Sequence, residues 1–165
     1  MNTYPVEVYI YELTPESQCW CRDQFMQIVA EDEEILHTSI VVHGVEYSYG
    51  ECGIEEEEPK LRPQYVTDFF EEAASRTTTI GRTTLTKEQV EDQIAKLRKT
   101  DIWFSYKYNP VEHNCHHFSD MFLKLLCGNE AVLPVEVYEF NKRLLSYRES
   151  WIDEFYEDGN SDHSG

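Results

Sequence analysis

The chain is organised around Tyr108-Asn109-Pro110-Val111-Glu112-His113-Asn114-Cys115-His116-His117-Phe118-Ser119. The Asn109-Pro110 pair favours a turn, because proline pushes the residue before it out of the helical region. Asn114 is a favourable residue at the N-cap of a helix. The sequence therefore predicts a turn that places Cys115 in the first turn of a helix.

The helix after this turn has a predicted buried face and a predicted end at Gly128. Apolar residues recur at i, i+3, i+4, i+7 and i+8, at Phe118, Met121, Phe122, Leu125 and Leu126. Cys115 would lie at the positive end of the helix dipole, beside N–H groups that have no partner within the helix. Both features favour the nucleophilic thiolate, and the same N–H groups can bind an oxyanion. The alternative is a small buried cysteine with no chemical role.

The rest of the chain mixes strands and helices without regular βαβ alternation. Strands are predicted at 5–13, 35–43, 45–49 and 76–82. Helices are predicted from Thr14 to about Ala30, over 66–74, after the capping box Thr86–Gln89, and over 135–147. Residues 55–58 are expected to form a surface loop. This pattern favours an α+β fold, a mostly antiparallel sheet with helices packed around it.

Composition limits the function classes. The 165 residues carry a formal charge of −18, which argues against nucleic acid and anionic membrane surfaces as partners. The N-terminus has no signal-peptide pattern, and no apolar run approaches the roughly 18 residues of a membrane span. We expect a cytoplasmic or nuclear protein whose five cysteines are reduced, without a disulfide framework.

A thiol nucleophile needs a base, and six histidines are available. His116 and His117 follow Cys115 directly and would point to other sides of the helix, so they are poor bases by geometry. His163 lies in the C-terminal tail and is dismissed, which leaves His113 and the pair His37 and His43, on one face of the second strand. His37 is predicted on the same side of its strand as Ser39 and Val41. A helix that packs on that side would bring a nucleophile within reach of His37.

Zinc is the rival chemistry at this segment. His113, Cys115, His116 and His117 form a dense group, but a structural zinc site usually needs two ligand pairs and no second pair exists elsewhere. We therefore predict no metal site.

The sequence resembles the PPPDE family of thiol isopeptidases, which includes the desumoylating isopeptidases. Four matching segments come in the same order as in the family. They are Val6 to Leu13, His37 to Gly50 with Gly53-Ile54, Thr83 to Phe104, and Tyr108-Asn109 with Asn114-Cys115, Phe118-Ser119 and Leu133-Pro134. The resemblance spans roughly residues 5 to 147. Members of the family commonly have Asn after the cysteine, where this chain has His116.

The resemblance implies a papain-like cysteine peptidase fold in circularly permuted order. It implies His37 as base and Cys115 as nucleophile, and we expect Asn114 and His116 to support the oxyanion site. It also implies SUMO- or ubiquitin-conjugated proteins as substrates, dimers with the active groove between subunits, and no cofactor.

We divide the chain into a catalytic domain, residues 1–148, and an acidic C-terminal tail, 149–165, that is partly disordered. Two alternative functions stay open. One is a protein S-acyl (palmitoyl) thioesterase, which needs the same nucleophile and oxyanion hole. The other is an interaction module on the same fold with an idle dyad.

Overall fold

The computed structural model describes residues 1–14, 20–29, 33–59 and 74–161, with only the helical backbone for 149–161. The strands are β1 (Tyr4–Leu13), β2 (Ile35–Val42), β3 (Val45–Gly50), β4 (Gly53–Glu57) and β5 (Arg76–Thr83). The helices are α1 (Trp20–Met26), α2 (Lys87–Lys99), α3 (Cys115–Cys127) and α4 (Val135–Ser161). Two short 3₁₀ turns, Asp101–Trp103 and Ser105–Lys107, connect α2 to the segment before α3.

Within these described ranges the strands form one antiparallel sheet in the order β4-β3-β2-β1-β5. The β2–β3 hairpin closes through His43 and Gly44, which both have positive φ (52° and 74°). A two-residue turn with positive φ at both positions matches the right-handed twist of the strands it joins. The predicted α+β class with an antiparallel sheet is confirmed.

Alternation along β1 divides the sheet into two faces. Val6, Val8 and Ile10 belong to the main core, whereas Tyr9 and Tyr11 are buried on the opposite face with Val41. Helix α3 packs on the main-core face with its buried residues Phe118, Phe122, Leu123 and Leu126. Because α3 begins with Cys115, this packing brings the cysteine close to the sheet.

Several predicted boundaries differ from the structure. Residues 55–57 belong to strand β4 rather than a loop, because Gly53 adopts a φ of 81° and turns the chain back along β3. Helix α1 ends at Met26 instead of Ala30, and α4 continues past Tyr147 to Ser161. The predicted helix over 66–74 lies outside the described residues except for Ala74, as do the predicted helix start at Pro15 and the final residues 162–165.

Candidate active site

The turn before α3 forms as predicted and is held by Asn109. Its side-chain oxygen accepts hydrogen bonds from the backbone N–H groups of Val111 (2.9 Å) and Glu112 (3.0 Å). Asn109 and His113 also exchange two backbone hydrogen bonds across the turn. These bonds fix where the chain enters helix α3.

Asn114 caps that helix and places Cys115 at its first position. The Asn114 Oδ1 atom accepts from the backbone N–H groups of His116 (2.9 Å) and His117 (3.3 Å). Its Nδ2 group donates to the Pro110 carbonyl (2.9 Å) and to Asn141 Oδ1 (3.2 Å). Both amide hydrogens thus have acceptors, so Asn114 supports the buried Cys115 by fixing the start of the helix.

The Cys115 side chain lies close to two side chains from other elements of the fold. The sulfur atoms of Cys21 and Cys115 and a ring nitrogen of His37 all lie within 4.8 Å of one another. Helix α1, strand β2 and helix α3 each supply one of them. A sulfur–nitrogen separation of this size is closed by a small side-chain rotation or one bridging water, and catalytic hydrogen bonds are often this loose without substrate. The structure thus brings together the cysteine and histidine that the family resemblance implied.

The route by which His37 reaches Cys115 differs from our expectation. Helix α3 does not pack on the side of Ser39 and Val41, since Val41 lies in the cluster on the opposite face. It packs on the side of Thr38, whose hydroxyl contacts α3 directly. At the start of β2, the consecutive residues Ile35 and Leu36 are both buried in the main core. Successive side chains therefore do not alternate strictly between the two faces of the sheet there.

His116 connects the segment that carries Cys115 to both neighbours of His37. Its Nε2 atom donates to the Leu36 carbonyl (2.8 Å), and its Nδ1 atom lies 2.8 Å from the Thr38 hydroxyl. A carbonyl can only accept, so Nε2 carries the proton and Nδ1 accepts from Thr38 in the neutral ring. The Thr38 hydroxyl also shares a 3.1 Å hydrogen bond with Ser119.

Burial keeps the His116 ring neutral. Burial, with a smaller effect of the nearby His37, lowers the pKa of His116 to about 3 against the opposing effect of the Leu36 carbonyl. The ring therefore holds its hydrogen bonds as a neutral donor and acceptor at ordinary pH.

The other described histidines are engaged in structural contacts. His113 donates from Nε2 to the Ile102 carbonyl (2.7 Å) and stacks on Trp103, with ring centroids 4.4 Å apart. His117 Nδ1 accepts from the backbone N–H of Asn114 (3.0 Å), completing a capping box, and burial lowers its pKa to about 4. His43 donates from Nε2 to the Leu85 carbonyl (2.8 Å).

Two residues at the site were missed by the sequence reasoning. No signal in the sequence indicated that Cys21 lies at the site, and Tyr108 was marked only as part of the stretch around Cys115 that matches the family. Burial raises the pKa of Tyr108 far above its usual value, and the neighbouring Cys115 and Cys21 thiols raise it further, so the hydroxyl keeps its proton. It lies close to Cys21 and to the backbone N–H of Cys115, but in regular hydrogen-bond geometry with neither.

Comparisons with known proteins agree with this arrangement. The family model described as "PPPDE putative peptidase domain" matches residues 4–150. Desumoylating isopeptidase 1 of Rattus norvegicus and the protein of the same name from Homo sapiens are each 29% identical to this chain over 149 residues. Each alignment covers 88% of this chain and 79% of the relative. Among the described residues, no helix combines the length and apolar character that crossing a membrane requires.

From the hydrogen bonds of His116, we predict that replacing this residue with alanine destabilises the protein. In His116→Ala, the buried Thr38 hydroxyl and the Leu36 carbonyl each lose a hydrogen bond, and an unsatisfied buried polar group costs about 1–3 kcal/mol. We expect the free energy of unfolding, measured by urea denaturation, to fall by at least about 2 kcal/mol. His116→Asn restores the residue common in the family and, because its amide can replace only part of these bonds, should lose less.

A control separates this effect from a general effect of deleting a histidine. His113→Ala removes one hydrogen bond and the ring stacking on Trp103, and it leaves Leu36 and Thr38 untouched. It should cost about 1–2 kcal/mol. Equal stability of His116→Ala and the unmodified chain would contradict the connecting role of His116.

Proposed function

Because this chain belongs to the PPPDE family of peptidases, and is therefore a hydrolase, we propose that it is a thiol isopeptidase that removes SUMO or ubiquitin from conjugated proteins. In this proposal Cys115 is the nucleophile and His37 the base. The observation that carries it is the separation of at most 4.8 Å between Cys115 Sγ and a His37 ring nitrogen, at the first position of a helix.

The reaction begins with proton transfer from the Cys115 thiol to His37. The thiolate, favoured by the helix start, attacks the carbonyl carbon of the isopeptide bond. The His37 imidazolium then donates its proton to the departing lysine amine, which leaves a thioester on Cys115. Water, deprotonated by His37, attacks this thioester, and the ubiquitin-like protein departs with a free carboxylate.

The oxyanion formed in both steps needs donors that are already in place. We assign this role to the backbone N–H of Cys115 and to the Tyr108 hydroxyl, which lie close to each other. Tyr108 suits it because its proton is retained and is not committed to a regular hydrogen bond. Asn114 and His116 support the same group indirectly, through the helix cap and through the contacts with strand β2.

A protein substrate also needs a surface on which to dock. Phe104 and Tyr106 expose aromatic side chains and line a pocket of about 380 Å³. Tyr49 connects this pocket to the site, because its hydroxyl donates to the Phe104 carbonyl (2.8 Å) and its ring lies 5.2 Å from that of Tyr108. We propose that the body of the ubiquitin-like protein docks here while its C-terminal tail reaches Cys115.

The choice of SUMO as first substrate rests on the relatives, which are named desumoylating isopeptidases. Negative charge on the exposed Glu57 and Glu58, at the end of β4, would complement a basic surface of such a partner. The dimer and the cytoplasmic or nuclear location implied earlier remain predictions.

The proposed dyad predicts that two substitutions remove hydrolysis. Cys115→Ser should abolish turnover of a SUMO–lysine isopeptide reporter. His37→Ala should lower kcat/KM by about 10²–10⁴-fold, the usual contribution of a general base. Cys127→Ser and His43→Ala serve as controls, since neither residue belongs to the cluster at Cys115 or lines the pocket at Phe104 and Tyr106. Full activity of Cys115→Ser would refute the assignment.

A side-by-side assay of three reporters tests the substrate class. We expect cleavage of SUMO or ubiquitin isopeptide reporters to exceed that of a palmitoyl-thioester reporter, because the docking surface that we propose at Phe104 and Tyr106 suits a protein substrate. Turnover of the acyl reporter alone would make the chain an S-acyl thioesterase. No turnover, with Cys115 no more reactive than a free thiol toward a SUMO vinyl sulfone, would make it an interaction module.

Charge complementarity predicts that added salt slows the protein reaction. Raising ionic strength screens exposed charges, so kcat/KM for the SUMO reporter should fall. Glu57→Gln with Glu58→Gln should weaken this salt dependence, whereas Glu88→Gln with Asp92→Asn changes the same charge on helix α2 and should not. An identical salt response in both double variants would refute a role for the β4 acids.

A further inference from the structure

Cys21 has no part in the proposed reaction, yet its sulfur lies in the same cluster as Cys115 and His37. We propose that these three side chains form a reversible binding site for a thiophilic divalent cation, Zn²⁺, and that the bound ion blocks the active site. The ion would be an inhibitor here and not a cofactor of hydrolysis. None of the three histidines next to Cys115 in the sequence takes part, which is why spacing alone did not reveal the site.

The donor geometry is close to that of a zinc site. With Zn–S near 2.3 Å and Zn–N near 2.0–2.1 Å, two ligands of a tetrahedral ion lie about 3.5–3.8 Å apart. The separations in the cluster are at most 4.8 Å. Each pair therefore has to close by no more than about 1.3 Å, which side-chain rotation supplies without moving the backbone.

The chemistry of the donors selects the type of ion. Two thiols and one imidazole are soft or borderline ligands, which Zn²⁺ prefers and Mg²⁺ or Ca²⁺ does not. No carboxylate belongs to the cluster of described residues. Three protein ligands leave the fourth position of a tetrahedral ion for water.

The surroundings of Cys21 hold its sulfur in place. Cys21 and Phe25 are the buried residues of helix α1, and Cys21 Sγ lies 4.0 Å from the Tyr49 carbonyl oxygen. Burial in the core leaves this side chain few rotamers, so binding an ion costs it little further entropy.

Binding involves no redox change. Each of the two thiols releases its proton to solvent, and each sulfur donates an electron pair to Zn²⁺, as does the unprotonated nitrogen of His37. Because these electron pairs are bound to the ion, Cys115 cannot attack a carbonyl and His37 cannot accept a proton. The binding stands independently of the proposed function, whereas the inhibition rests on it.

The experiment uses the reduced, metal-free full chain and Co²⁺, which substitutes for Zn²⁺ and absorbs in the near ultraviolet in proportion to the number of thiolate ligands. We expect a thiolate-to-cobalt band that Zn²⁺ abolishes by competition. Cys21→Ser should halve the band and weaken Zn²⁺ affinity at least tenfold, as should Cys115→Ser. Cys52→Ser removes an exposed cysteine and should change neither quantity.

Two results of this titration would overturn the proposal. One is the absence of a thiolate band in the unmodified chain. The other is a Cys21→Ser variant with the same band and affinity. Thermal melting of each metal-free variant identifies any that fails to fold, and Cys21→Ala provides a second test that keeps position 21 apolar.

An activity measurement then tests the consequence. Zn²⁺ should inhibit hydrolysis of the SUMO reporter, a chelator should restore it, and Cys21→Ser should require at least tenfold more Zn²⁺ relative to its own metal-free rate. Metal binding without any hydrolysis would refute the proposed function but not the site. Hydrolysis that Zn²⁺ inhibits equally in the unmodified chain and in Cys21→Ser would refute the site.

Discussion

The geometry of the site depends on the hydrogen bonds of His116. Leu36 and Thr38 flank His37 in the sequence, and His116 follows Cys115 directly, so a single imidazole joins the two segments that carry the proposed dyad. A neutral ring can do this because one nitrogen donates and the other accepts. Burial enforces that state by lowering the pKa of His116 to about 3. A charged histidine at this position would have two donors and would lose the bond from Thr38.

This contact works only because the cap and the core already position helix α3. Asn114 satisfies two backbone N–H groups at the start of the helix, and Phe118 and Phe122 bury its face against the sheet. Packing thus sets the direction of the helix axis, and hydrogen bonds fix the residue at which the helix begins. Sites built on such elements are more rigid than sites built on loops, which suits a reaction whose nucleophile and base come from distant parts of the chain.

The sequence predicted those elements whose signals are local, and it failed where the deciding contact is distant. The capping box at Thr86 and the N-cap at Asn114 each depend on neighbouring residues, and both form as predicted. Strand β4 was missed because its exposed acids look like a loop, although charged residues are typical of an edge strand. The roles of Cys21 and His116 depend on residues 94 and 80 positions away (115 minus 21, and 116 minus 36), for which the sequence carries no spacing signal.

The complete burial of Cys115 restricts what can reach it. The side chain has no exposed surface, whereas His37 beside it is partly exposed, so the proposed dyad offers only a small opening to an approaching group. A folded protein surface cannot enter such an opening, but an extended chain end can, and so can a small ion. Burial would therefore favour the thin C-terminal tail of a ubiquitin-like protein as substrate and leave docking to the exposed aromatic residues nearby. The same enclosure would make a bound Zn²⁺ effective as an inhibitor, since one ion among the three donors would occupy the space that the scissile carbonyl needs.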